Sequence, residues 1–114
     1  MGWTIVEDYD MELLKERLLK GETVCYRSSG WSLWPRVNSG DMTTYVPVRS
    51  AEEVHVDMIV FCEVQPSNRF FGHLVKEKFM RHGQWHFTIS NMKGLENGYC
   101  RIEHIYGRLV DVES

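Results

Sequence analysis

From residue 22 to its end, the chain consists of short strand-like runs separated by turn residues, and this pattern limits the fold more than any other feature. The run at 58–64, Met-Ile-Val-Phe-Cys-Glu-Val, is apolar enough to be buried on both faces of a sheet. Arg81-His82-Gly83-Gln84 predicts a hairpin turn, and 93–98 predicts a loop. Further strand-like runs lie at 3–6, 22–28, 42–48, 70–79, 85–90 and 102–112. The chain is therefore predicted to be mainly β.

Residues 11–20 form the one stretch with a helical pattern. Met11, Leu14 and Leu18 fall on one face, and Gly21 is a natural stop. Asp8 or Asp10 is the predicted cap. A helix this short is not stable alone, so its apolar face must pack on the sheet. With 114 residues, we expect a single domain over 1–114, with a strand and helix in 1–21 and a β domain in 22–112.

Charge and composition exclude several classes of protein. The net charge is −3 and the basic residues are scattered, so we expect no nucleic-acid partner. No run approaches the roughly 20 apolar residues of a membrane span, and the acidic start lacks the basic region of a signal peptide. Cys25, Cys62 and Cys100 form no CxxC pair, which predicts free thiols in a soluble, cytoplasmic protein. No metal site and no cofactor are expected.

The segment Gly-Trp-Ser-Leu-Trp-Pro at 30–35 is the clearest candidate for a functional site. Ser32 lies between Trp31 and Trp34, which together carry too much apolar area for an ordinary loop. Gly30 frees the backbone beside the hydroxyl, and Pro35 stiffens the exit. These residues are compatible with a nucleophile presented on a rigid strand edge, and equally with a buried aromatic hinge that carries an incidental serine.

Several segments, taken in order, resemble the signal peptidase and LexA-like serine peptidase superfamily. Residues 30–35 resemble its Gly-x-Ser-Met-x-Pro nucleophile motif, with Leu33 in the place of Met, and Gly40-Asp41 matches the Gly-Asp that follows. Residues 56–61 look like its Gly-Asp-Ile-Val-Val-Phe block, and 105–110 look like its closing Val-Gly-Arg-Val strand. Residues 71–75 fall where the family carries its general base.

This resemblance implies a fold and a set of site residues. The implied fold consists of coiled, partly barrel-like antiparallel sheets with one short N-terminal helix. His73 stands where the endoplasmic-reticulum and archaeal-type signal peptidases have a histidine base, and Ser32 stands at the nucleophile. Asn91 falls on the position of the acidic partner, where an amide would orient the imidazole but not stabilise its charged form. Substrate contacts are expected from Trp31, Leu33 and Trp34.

Two functions remain open at this point. The first is a serine endopeptidase that cleaves an extended peptide by a Ser32–His73 dyad, a hydrolase that needs no cofactor. The second is a catalytically inactive, peptidase-like module that binds a peptide or protein partner in the same groove. Leu33 in the place of the motif's Met, Val56 in the place of its Gly and the amide at Asn91 all favour the second function, whereas the order of the motifs bears on the fold.

Overall fold

The computed structural model describes residues 10–30 and 32–114 in full and residues 3–6 as backbone. Two predicted residues, Asp8 and Trp31, lie outside the described residues. The elements are β1 (Trp3–Val6), α1 (Met11–Leu19), β2 (Thr23–Arg27), β3 (Met42–Pro47), β4 (Ile59–Val64), β5 (Arg69–Arg81), β6 (Gln84–Ser90), β7 (Glu96–Cys100) and β8 (Ile105–Glu113). Short 3₁₀ turns lie at Ala51–Glu53 and Ile102–His104. The prediction of a mainly β chain with one short helix is confirmed for the described residues.

All eight strands belong to one sheet, in the order β1-β2-β3-β8-β4-β5-β6-β7. Neighbours are antiparallel except β1 and β2, which are parallel. The expectation of more than one sheet is wrong for the described strands, which form a single sheet, and this sheet does not close into a barrel. An isolated bridge between Gln65 and Tyr99 joins the end of β4 to β7, with N–H···O distances of 2.8 and 3.2 Å.

The sheet packs around two groups of buried side chains. One group lies beneath α1 and includes Leu14, Tyr45 and Phe61. The other lies within the second half of the sheet and includes Val60, Val75 and Phe87. β4 is the central strand and contributes to both, since all but one of its residues are buried. This confirms the prediction that this run is buried on both faces.

Helix α1 begins as the sequence predicted. The Asp10 carboxylate accepts a hydrogen bond from the Leu13 N–H at 3.1 Å, and Gly21 follows the helix with a φ of +88°. Leu14 and Leu18 are buried in the first core group, whereas Leu19 is 64% exposed. The helix is thus docked by one narrow apolar face.

Replacing Leu14 with alanine is therefore expected to lower the free energy of unfolding by about 2–5 kcal/mol, because the lost side chain leaves a cavity under the helix. Leu19→Ala changes the same residue type on the exposed face and should stay within about 0.5 kcal/mol of the wild type. Urea denaturation of both variants measures the difference. Equal effects would contradict the docking of α1 through Leu14.

The end of the chain departs from the predicted pattern in two places: the strand predicted over 102–112 begins only at Ile105, after a 3₁₀ turn at Ile102–His104, and a further strand replaces a predicted loop. Residues 93–98 were expected to form a loop, but β7 occupies Glu96–Cys100 and pairs with β6. Glu, Asn and Gly are poor strand formers, and pairing with a long neighbouring hairpin overrides that preference. The predicted hairpin itself is confirmed, with positive φ at His82 (50°) and Gly83 (76°) between β5 and β6.

Candidate active site

The sheet brings Ser32 and His73 together, although 41 residues separate them in the sequence. Ser32 Oγ lies 2.9 Å from His73 Nε2, within hydrogen-bond distance. Ser32 is exposed on the turn that follows β2, whereas His73 lies in β5 and is only 9% exposed. The two residues that the sequence proposed as nucleophile and base are therefore in contact.

A network of backbone bonds fixes the turn that carries Ser32. Beyond β2, the Ser28 N–H donates to the Asp41 carbonyl at 2.8 Å, and the Asp41 carboxylate accepts from the Asn38 N–H at 2.8 Å. The Ser28 hydroxyl donates to the Asn38 carbonyl at 2.7 Å and is also 3.1 Å from the Asp41 carbonyl. Gly40-Asp41 thus has a structural role here, and the Ser28 proton is used within the turn.

The loop after β6 supports Ser32 from the other side. The Met92 N–H donates to the Ser32 carbonyl at 2.9 Å. Farther along the turn, Arg36 Nη1 donates to the Asp57 carbonyl at 2.7 Å, just before β4. The turn that carries Ser32 is therefore held to two distant parts of the chain, which limits where the Ser32 hydroxyl can lie.

The second ring nitrogen of His73 has a partner that the sequence did not suggest. Nδ1 lies 2.6 Å from Asn97 Oδ1. An amide oxygen only accepts, so the proton of a neutral imidazole resides on Nδ1, and Nε2 presents its lone pair to the Ser32 hydroxyl. This is the tautomer that a general base requires.

Asn97 reaches His73 because β7 contains a β-bulge. Ile89 of β6 pairs with Gly98, and the next residue, Ser90, pairs with Glu96. Asn97 is therefore the extra residue on β7, and a bulge redirects the side chain that it carries. The sequence offered Asn97-Gly98 as a turn signal, and nothing in the local pattern separates this bulge from a turn.

The predicted contact between Asn91 and His73 is wrong. Asn91 Oδ1 accepts from the N–H groups of Lys93 and Leu95, at 2.9 and 3.0 Å, and its carbonyl accepts from Gly94. Short asparagine side chains commonly hold turns in this way. Asn91 therefore orders the loop that includes Met92, and it supports the Ser32 backbone instead of the imidazole.

The surroundings of His73 favour its neutral form. Burial lowers the pKa of His73 below its ordinary value, and the hydrogen bond to Asn97 opposes part of this shift. The Phe71 ring lies against the imidazole, with 4.7 Å between ring centroids. At neutral pH the ring is therefore uncharged and ready to accept a proton.

The lowered pKa predicts how stability depends on pH. Above about pH 6.5, the ordinary pKa of histidine, the ring is neutral in both the folded and unfolded states. Below it, the unfolded state binds the proton more readily, so the contribution of His73 to stability is lost as pH falls through the folded pKa. His73→Gln should reduce the loss of stability between pH 7.5 and 5.5, measured by urea unfolding. Parallel pH curves for wild type and variant would contradict this.

The residues that flank Ser32 lie in different environments. Leu33 is 9% exposed, belongs to the first core group and lines a cavity of about 160 Å³ beside Ser32 and His73. Trp34 is 57% exposed and, with Ser32, Asn91 and Lys93, borders a second depression of about 520 Å³. The exposure of Trp34 excludes core packing as its role. Trp31, the third predicted contact, lies outside the described residues.

The cysteines do not line the cavity beside Ser32 and His73. Cys25, Cys62 and Cys100 are free thiols, and burial raises the pKa of Cys62 well above its ordinary value, which makes that thiol a poor nucleophile. No three His, Cys, Asp or Glu side chains in the described part of the chain are grouped so as to hold a metal ion.

Helix α1 is too short to cross a membrane, and the described residues contain no helix that is long and apolar enough to do so.

Comparison of the chain with protein-family models and with curated proteins gave no match. A function for this chain is therefore inferred from the geometry around Ser32 and from the resemblance of its motifs to those of serine peptidases.

Proposed function

We propose that this chain is a serine hydrolase that cleaves extended peptides, with Ser32 as nucleophile, His73 as general base and Asn97 as the residue that orients the imidazole. One observation carries the proposal: Ser32 Oγ is 2.9 Å from His73 Nε2, while His73 Nδ1 is 2.6 Å from Asn97 Oδ1. A nucleophile, its base and an orienting group within hydrogen-bond reach are the signature of this chemistry.

The reaction follows from the protons that these groups hold. His73 Nε2 takes the Ser32 hydroxyl proton as Oγ bonds to the carbonyl carbon of the scissile amide. The imidazolium then returns that proton to the leaving amine as the C–N bond breaks, which leaves an acyl-serine. Water, deprotonated by the same imidazole, hydrolyses the ester and restores Ser32. In this scheme the Ser32 N–H donates to the oxyanion. The Ser28 hydroxyl donates within its turn and so does not contribute to this site.

An open strand edge beside the site supports an extended peptide as the substrate. Residues 69–73 of β5 pair with β4, but pairing with β6 begins only at Leu74. Among the strands that the structure describes, none pairs with the other edge of this segment up to His73. A peptide that adds to such an edge is held by its main chain, and its alternate side chains face the protein.

A binding module that does not cleave is the second candidate, and Asn97 is the observation that favours it. Catalytic triads with a carboxylate stabilise the imidazolium that forms during the reaction, and a neutral amide does so less. In this version the edge at 69–73 and the groove beside Ser32 hold a peptide without acyl transfer.

Covalent labelling tests the proposal directly. We would treat the protein with a fluorophosphonate, locate any adduct by mass spectrometry, and incubate an unbiased peptide mixture with the same samples. We expect one adduct on Ser32 and peptide cleavage, both absent from Ser32→Ala. Ser29→Ala is the matched control, since Ser29 is an exposed serine that lines the same cavity. No adduct and no cleavage from pH 6 to 9 would overturn the proposal and favour the binding module.

Converting the orienting amide to a carboxylate is expected to accelerate the reaction. In Asn97→Asp, the negative charge beside Nδ1 stabilises the imidazolium, so the pKa of His73 rises and the rate at pH 8 increases by roughly 10-fold or more. Asn97→Leu removes the acceptor and should slow the reaction by a similar factor. Labelling rates from pH 5 to 9 and an NMR titration of the imidazole measure both effects. Asn68→Asp adds the same charge on an exposed loop and should change neither; equal effects at 68 and 97 would contradict the role of Asn97.

A further inference from the structure

The cavity beside Ser32 and His73 has the size of a substrate side chain. Its volume is about 160 Å³, and Ser32, His73 and Gly72 form part of its wall. A cavity of about 150 Å³ is large enough to take up a benzene ring. It therefore offers room for a single large side chain next to the groups that would perform acyl transfer.

The wall of the cavity combines apolar and hydroxyl-bearing side chains and carries no charged side chain among the described residues. Tyr26, Leu33, Val37 and Tyr45 line the cavity and are each buried in the first core group. No described residue that lines it is an aspartate, glutamate, lysine or arginine. A charged side chain would enter without a counterion, which is costly.

Two of the hydroxyl groups in the wall are already used. Thr43 Oγ1 donates to the Tyr26 carbonyl at 2.5 Å, and the Ser28 hydroxyl donates within its turn. Neither of these two protons is available to an incoming group, so the volume of the cavity and its lack of charged groups are the features that select a side chain.

We infer that this cavity is the specificity pocket for the residue whose carbonyl Ser32 attacks, and that it takes a large uncharged apolar side chain of leucine or phenylalanine size. The inference rests on the proposed function and deepens it. A peptide laid along the open edge at 69–73 passes His73, and the side chain adjacent to the attacked carbonyl is the one that lies at the mouth of the cavity. The depression beside Trp34 shares only Ser32 with this cavity among the described lining residues, so it contacts a different part of the peptide.

A series of peptidyl diphenyl phosphonates that differ only at this side chain tests the inference. We would measure second-order rates of Ser32 labelling for Phe, Leu, Ala, Glu and Lys. Phe and Leu should react roughly 10- to 100-fold faster than Ala, because each buried methylene adds to the discrimination. Glu and Lys should be slower than Ala. Equal rates, or a preference for Ala, Glu or Lys, would overturn the inference and leave the proposed hydrolase intact.

A pair of valine variants ties the preference to the cavity. Val37→Ala enlarges the cavity and should shift the preference from Leu toward Phe. Val24 belongs to the same core group but does not line the cavity, and Val24→Ala removes the same atoms. The side-chain preference of the Val24→Ala variant should therefore match that of the wild type. An identical shift in both variants would contradict the assignment.

Binding without chemistry separates failure of the pocket from failure of the hydrolase. Ser32→Ala would be titrated by NMR with acetylated peptides that end in Phe, Ala or Glu. We expect the Phe peptide to bind at least 10-fold more tightly and to shift the resonances of Leu33 and Val37. If no phosphonate labels the wild type, the proposed hydrolase activity is overturned. The titration then decides the specificity pocket by itself, and equal affinities for the three peptides would overturn the pocket as well.

Discussion

His73→Ala is expected to reduce the rate of Ser32 labelling and of peptide cleavage by about 10⁴- to 10⁶-fold, because a serine hydroxyl without a base is a poor nucleophile. The variant should remain folded, since His73 is neutral in the folded protein and its removal leaves no buried charge without a partner. Rates of fluorophosphonate labelling at pH 7.5 measure the loss, and the near-ultraviolet circular dichroism spectrum reports folding.

His86→Ala provides the matched control for this experiment. His86 is also a strand histidine packed on aromatic rings, with centroids 5.6 Å from both Phe79 and Tyr99. It lies outside the Ser32 cavity, so its variant should label at the wild-type rate. A His73→Ala protein that labels as fast as His86→Ala would mean that the 2.9 Å contact does not activate Ser32.

The pH profile of the wild type adds a signature that a structural histidine would not give. The reaction needs neutral His73, so the rate falls as pH decreases through the pKa of that group. Because burial holds this pKa below its ordinary value, half-maximal activity on the acid side should lie below about pH 6.5. A half-maximal point above that value would assign the titration to another group.

The strands and the Ser32–His73 pair could both be predicted from the sequence, but for different reasons. The strand β4 was predicted because a run of apolar residues that is buried on both faces depends little on its neighbours. The pair was predicted only through the order of weak motifs, since no periodicity relates residues 41 apart. Three strands, β3, β8 and β4, lie between β2 and β5 in the sheet, so the 2.9 Å contact depends on the arrangement of the whole sheet and not on local sequence.

Asn97 was missed because its position depends on strand register. A motif comparison pointed to Asn91, six residues earlier, which is bonded within its own loop. Residue type does not distinguish the two asparagines, and both lie in stretches of turn-like sequence. What separates them is the bulge that pairs Ile89 with Gly98 and Ser90 with Glu96, and a bulge is fixed by tertiary contacts rather than by local preference.

The close contact of Gly98 with the end of β4 fixes this bulge. The φ of Gly98 is +145°, and an added Cβ would lie within van der Waals overlap of the Gln65 carbonyl oxygen and 3.1 Å from Val64 Cβ. Only glycine permits β7 to approach the end of β4 this closely, through the bridge between Gln65 and Tyr99. The close approach at Gly98 therefore determines where the preceding side chain, Asn97, is aimed.

Gly98→Ala is accordingly expected to be the most damaging single methyl addition in the site, with a loss of about 3 kcal/mol or more in the free energy of unfolding. Gly94→Ala is the matched control: Gly94 also has a positive φ, +88°, but its Cβ would meet no atom within 4 Å, so only the backbone strain of about 1–2 kcal/mol remains. Urea denaturation gives the difference between the two variants, and the difference isolates the clash with β4.

Labelling of Ser32 in the folded fraction should also fall in Gly98→Ala and persist in Gly94→Ala, because only the first displaces Asn97 from His73. Equal stability losses with unchanged labelling would show that the β4–β7 contact does not position the site.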